Sequence, residues 1–301
     1  MGRFSKKLVT VAIVMASAFT SNAQNGTSTT KVYDYQDFSG LSVSNGFSVN
    51  VVMSDKYSTE VTVPDQMVEY LDIKVDKGVL YVGFKDMPLT LSASAITKEL
   101  SARISMPELD NIKMEGRSKL YCKDEMDLGS KPFNLYMAGA SEITGVKVNA
   151  GEARVYVNGT AKAHIEGEFV EFHLTSNGTT RTELAAKSDI LKITSSATAN
   201  NEVSGEYEEI TLSLTGVSNV SLSGKADELY VRTAGTSSVD ALKMEIADAE
   251  ADMAGTSTVK LDVSGSLTVS IAGSSSISYK DYENLKLNVR SQAKNSKLKK
   301  L

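Results

Sequence analysis

Cys122 is the only cysteine in the chain, so no intrachain disulfide can brace the fold and stability has to come from packing. No HExxH motif, no GGxGxD calcium repeat and no GxGxxG at a strand-to-helix turn occurs, so the sequence supports neither a metal site nor a bound cofactor. Histidine is limited to His164 and His173. Beyond the first two dozen residues no run is apolar enough to cross a bilayer as a helix, and the acidic balance, −5 overall, argues against a nucleic-acid partner.

What is present begins with an export pattern. MGRFSKKLVTVAIVMASAFTSNAQ places Arg3, Lys6 and Lys7 ahead of an apolar run from Leu8 to Phe19, followed by small residues at Ser21 and Ala23. That order predicts a signal peptide over residues 1–23, cleaved after Ala23, rather than a buried helix. With no cysteine near the cleavage point a lipid anchor is not expected, and the mature protein belongs to the periplasm, the outer-membrane surface or the medium. Loss of the three cations takes the net charge from −5 to −8; the last twenty residues hold six Lys or Arg against Glu283 alone, +5, which leaves −13 on residues 24–281. The basic tail, 282–301, reads as a solvated, frayed end, with contact to anionic lipid as the alternative.

The 301 residues, 41% of them hydrophobic, can bury a sizeable core, and an internal repeat says how. MAGASEI from Met137 returns as MAGTSTV from Met253, with VNGTAKA, SNGTTRT, LTGVSNV and TAGTSSV between them. The shared glycines, Gly139, Gly159, Gly178, Gly216, Gly235, Gly255 and Gly273, with Ala197 in place of the missing one, are 18 to 20 residues apart. Four before each mark stand Leu135, Val155, Leu174, Ile193, Leu212, Val231, Ala251 and Val269, and the column six before is equally apolar. Residues between are mostly polar, the period-two alternation of strands with one buried face. Four after the mark, Thr182 and Asn201 interrupt an otherwise apolar column.

A period of about 19 is too short for a strand with a crossover helix and suits one coil of a parallel β-solenoid, eight coils making a rod of roughly 38 Å. Each repeat reads as strand, glycine turn, strand, corner. Two after the mark runs a small inward column, including Ser141, Ser218, Ser237, Ser257 and Ser275, whose hydroxyls can bond neighbouring coils or turn backbone. The repeats occupy 133–281. Residues 24–132 are β-rich but less regular: Asn45-Gly46 fits a hairpin or a solenoid corner, a short helix can follow Pro64, and a turn spans Asp76 to Gly78. IKMEGRSKLYC places Ile112, Met114, Leu120 and Cys122 at inward offsets around Gly116, a first coil near 107–125 in which Cys122 is a buried core thiol.

DFSGLSVSNGFSVNVVMSD at Asp37 to Asp55, KVDKGVLYVGF from Lys74, SARISMPELDNIKMEGRSKLY at Ser101 to Tyr121 and the later G-x-S-x-φ phrases together resemble one family over nearly the whole mature chain. It is the "putative auto-transporter adhesin, head GIN domain" family of secreted proteins abundant in Bacteroidota. The resemblance implies an all-β, right-handed parallel β-helix or solenoid and an extracytoplasmic address, and implies no established activity. Phe47 stands where the motif in the family's name has isoleucine.

Polysaccharide lyases and hydrolases also use the parallel β-helix, so an enzyme has to be sought in residues and not in fold. Of the outward columns five and three before the mark, only Glu250 and Asp252 form a carboxylate pair, and His164 and His173 face different sides of the coil. No catalytic residue is assigned. Tyr136 and Tyr156 fall in one outward column on consecutive coils, flanked by Asn134, Arg154 and His173, a platform on which sugar rings can stack while polar groups fix orientation. The expectation is a secreted, non-enzymatic binding or adhesion protein recognising glycan or another envelope component through that face. The alternatives are a structural envelope protein without its own ligand and a polysaccharide-degrading enzyme.

Overall fold

A computed structural model of the chain describes residues 27–91 and 99–301, so the predicted signal peptide lies outside the described residues. The described residues form an all-β parallel solenoid of about ten turns. The inward columns read from the sequence are its core: Leu135, Val155, Leu174, Ile193, Leu212, Val231, Ala251 and Val269 are all at most 2% exposed. Thr182 and Asn201 are buried too, and a local network accounts for the asparagine: its amide donates to Ser195 Oγ at 2.7 Å and its carbonyl accepts from Ser176 Oγ at 2.9 Å.

At the N-terminal end the chain stacks out of order. β1 (Ser28–Tyr33) precedes β2 (Gly40–Val43) and β3 (Ser48–Met53), which are followed by β4 (Ser58–Pro64), a 3₁₀ helix (Asp65–Tyr70), β5 (Leu71–Asp76) and β6 (Val79–Phe84). β7 (Ser101–Met106), β8 (Asn111–Met114) and β9 (Lys119–Cys122) come next. β2 lies in parallel between β6 and β8, and β3 between β7 and β9, so the first coil in sequence is the second in space. Asn45-Gly46 is therefore a solenoid corner and not a hairpin, because β2 and β3 pair with neighbouring coils instead of each other. Asn45 Oδ1 accepts from the Phe84 amide at 3.0 Å, which ties this corner to the outer coil. The coil around Gly116 has the predicted inward residues, all at most 1% exposed, but two coils lie outside it, so it is not the first. Burial pushes the Cys122 thiol above its ordinary pKa, as suits a core residue. The turn expected at Asp76 to Gly78 joins β5 to β6 as an antiparallel hairpin, and antiparallel strands close this end: β5 on β6, β4 on β7 and β1 on β4.

The regular array follows: β10 (Glu125–Asp127), β11 (Pro132–Met137), β12 (Glu142–Gly159), β13 (Lys162–Gly178), β14 (Arg181–Ala197), β15 (Asn200–Leu214), β16 (Asn219–Thr233), β17 (Ser238–Met253) and β18 (Thr258–Ile271). Strands β12 to β18 run from just after one glycine mark to about the next, bending through the second corner without a break, and each pairs in parallel with its successor. The array ends with β19 (Ser276–Tyr279), β20 (Lys286–Gln292) and β21 (Lys297–Lys300). The basic tail is thus not a frayed end. β20 pairs with β18 and β21 with β19, forming a last coil, and Lys300 Nζ sits 3.0 Å from Asp281 Oδ2.

Each corner rests on the one before. The Thr160 amide donates to Gly139 O and the Thr236 amide to Gly216 O, both at 2.7 Å. Gly235 has φ +80°, and a Cβ there would lie 2.7 Å from Gly216 O, so both the backbone and the stacking distance demand glycine. Ser218, Ser237, Ser257 and Ser296 complete their corners by donating from Oγ to the carbonyl three residues back, at 2.7 to 3.0 Å. Ala197 stands at a mark with φ +62°, a conformation that costs a non-glycine residue about 1–2 kcal/mol. Gly235→Ala is expected to destabilise by about 2 kcal/mol or more, whereas Ala197→Gly is expected to be neutral or to stabilise by up to about 1 kcal/mol. Urea midpoints followed by circular dichroism check this; equal destabilisation by both would contradict it.

Candidate functional site

The strip read from the sequence is assembled by the parallel register of β8, β11, β12 and β13. Tyr136 pairs directly with Tyr156, Asn134 with Arg154, and Arg154 with His173, so the five predicted residues form two adjacent outward rows. Tyr136 is 42% and Tyr156 45% exposed, large aromatic surface left in solvent on neighbouring strands. Lys113 continues the tyrosine row on β8, with its Nζ 3.1 Å from Glu115, and Thr175 continues it on β13.

Two members of the strip are already engaged. Arg154 Nη2 lies 2.6 Å from Glu152 Oε2, and His173 Nε2 lies 3.0 Å from Glu171 and 3.9 Å from Glu152. Both carboxylates come from the outward column seven before the mark, which the sequence reading left out. That column carries Glu152, Glu171, Glu209, Glu228 and Asp248 along the rod, the last three on successive strands. Counting one more odd offset would have found it.

The Glu250 and Asp252 pair has cationic partners: Arg290 holds Glu250 with both terminal nitrogens, and Arg232 Nη2 is 3.9 Å from Asp252. Nearby, Tyr230 donates its hydroxyl to Glu228 Oε2 at 2.5 Å, and this bond, with weaker effects of desolvation and of Glu228, Glu209 and Glu250, pushes its pKa up to about 12. His164 lies after the corner, 3.4 Å from Glu166 and on a different face from His173. Among the described residues no group of three or more His, Cys, Asp or Glu is placed to hold a metal ion, and no helix is long and apolar enough to cross a membrane.

Fold and strip together define a parallel β-solenoid presenting an aromatic and polar strand face. A family model described as "Putative auto-transporter adhesin, head GIN domain" matches residues 37–186 and again residues 169–281, and the chain belongs to that family. Membership fits a non-enzymatic binding protein outside the cytoplasm. No curated protein matches the chain. Among solved structures, a "putative lipid binding protein" from Parabacteroides distasonis is similar at 16% identity and TM-score 0.50, covering 92% of this chain and 98% of that one. A "putative adhesin" from Parabacteroides merdae has 16% identity, coverage of 92% and 97%, and TM-score 0.46; another from Parabacteroides distasonis has 14%, 92% and 98%, and 0.46. The first of these likenesses is one of fold.

The Tyr230 phenol should titrate near pH 12 in a spectrophotometric titration, and that step should vanish in Tyr230→Phe. Because the folded pKa is the raised one, any stability this hydroxyl contributes is present below pH 10 and lost as pH climbs through the folded value. Loss of no high-pH phenol on mutation would contradict the Glu228 bond.

Proposed function

We propose that the protein is exported, with residues 1–23 removed, and acts as a non-enzymatic glycan-binding protein of the cell envelope. The ligand lies on the strand face bearing Tyr136 and Tyr156, with Asn134, Arg154 and His173 orienting it. The observation that supports this most is the in-register pair of exposed tyrosines on adjacent strands, rigid apolar surface with polar neighbours and suited to sugar rings. A second reading, a structural envelope protein with no ligand of its own, is favoured by the ion pairs that already occupy Arg154 and His173.

A glycan array probed with residues 24–301 and with the Tyr136→Ala/Tyr156→Ala double variant separates them. The binding reading expects at least one glycan bound, with about tenfold or greater loss in the variant. A wild-type protein that binds no glycan leaves the structural reading, and a variant that binds every glycan equally well overturns this strand face as the site.

A further inference from the structure

Across the glycine corner from the tyrosine pair lies a groove that the sequence did not indicate. It has a volume of about 510 Å³, within the range of small-ligand sites. Five strands, β4, β7, β3, β9 and the start of β12, supply its lining in strict register. One row along the rod reads Glu60, Arg103, Asn50, Tyr121, Thr144; the row beside it reads Thr62, Ser101, Ser48, Lys119, Glu142. At ~4.8 Å per strand the rows span roughly 19 Å, long enough for several sugar rings laid along the axis.

Three features make this more than a solvated surface. Tyr121 is 45% exposed, and its ring lies over Gly145, where an added Cβ would stand 3.0 Å from Cε2 of the ring and 2.9 Å from the Cys122 carbonyl. Gly145 has φ +72° and sits in the bulge that shifts the register of β12 on β13 between Ile143 and Val146, so the backbone is shaped to let the ring lie there. Arg154, Arg181, Arg232 and Arg290 are each paired with a carboxylate, whereas the side chain of Arg103, next in register to Glu60, has no hydrogen-bond or ion-pair partner among the described residues, a state it shares with Arg117. The side-chain polar atoms of Asn50 and Tyr121 likewise have no partner among the described residues.

We propose that this groove binds a neutral oligosaccharide, with Tyr121 as the stacking platform and Arg103 and Asn50 donating hydrogen bonds to ring hydroxyls. Neutrality follows from the lining: Glu60 and Glu142 balance Arg103 and Lys119, and Lys119 is already 3.5 Å from Glu142. The ligand class rests on reading the protein as a glycan binder; the location does not.

The test is a panel of neutral oligosaccharides and oligouronates, titrated calorimetrically against residues 24–301, Tyr121→Ala, Arg103→Gln and the Tyr136→Ala/Tyr156→Ala variant. Circular dichroism confirms that each variant folds, as expected for exposed side chains. The expected result is a neutral oligosaccharide whose affinity falls about tenfold or more in Tyr121→Ala and in Arg103→Gln and is unchanged in the double variant. Wild-type affinity in Tyr121→Ala and Arg103→Gln, with loss in the double variant, overturns this groove and leaves the other face standing. Binding confined to oligouronates overturns the neutral class, and binding of no sugar removes both proposals.

Discussion

The amide-to-carbonyl bond that each corner makes to the corner below it is the contact on which the rest of the molecule depends. Strands pair readily with copies of themselves, but a coil must also turn, and at a turn the backbone groups have no ladder unless the next turn supplies one. Here the corner amides at Ala140, Thr160, Thr179, Thr198, Val217, Thr236, Thr256 and Ser274 reach back one coil, at 2.7 to 2.9 Å. At most of the marks the stacking leaves no room for a Cβ, and glycine recurs there, with Ala197 and Lys294 as the exceptions. Fixed corners fix register, and register decides which residues face inward, since a slip of one would turn each strand inside out. The juxtapositions of Tyr136 with Tyr156 and of Asn50 with Tyr121 are consequences of that constraint.

A stack of identical coils leaves its ends unpaired, and the two ends are treated differently. At the N-terminal end the chain interleaves its first coil between two later ones and covers the outermost strands with antiparallel β4 and β5, converting an open parallel edge into a closed cap. At the other end residues 282–301 add strands β20 and β21 to the stack, and two of their six cations pair with carboxylates of the body, Arg290 with Glu250 and Lys300 with Asp281.

The regular part of the fold was legible because one spacing carried everything: glycine marks 18 to 20 residues apart with apolar residues at even offsets. The interleaved N-terminal coil was not, because nothing in FSGLSVSNGFSVN distinguishes pairing with the next strand in sequence from pairing with strands 71 residues on. The last coil escaped notice because its mark is Lys294 where glycine was sought, although Ser296 and Leu298 keep their places, buried and half-buried, in the inward columns. Of the surface, the tyrosine pair was readable as a column, while the acidic partners of Arg154 and His173 lay one offset beyond those counted. The Tyr121 groove was invisible, since it joins residues from five separate stretches of chain through a register that only the folded stack defines.

On the proposed reading, outer rows of the solenoid, and not a cleft of converging carboxylates, carry recognition. The architecture rests on the corner ladder, and amide hydrogen exchange followed by NMR tests it most directly. The amides of Thr160, Thr179, Thr236 and Thr256 should exchange as slowly as those of the flanking strands, although they sit in turns. Rapid exchange at those amides, at the rate of open loops, would contradict the stacked-corner architecture.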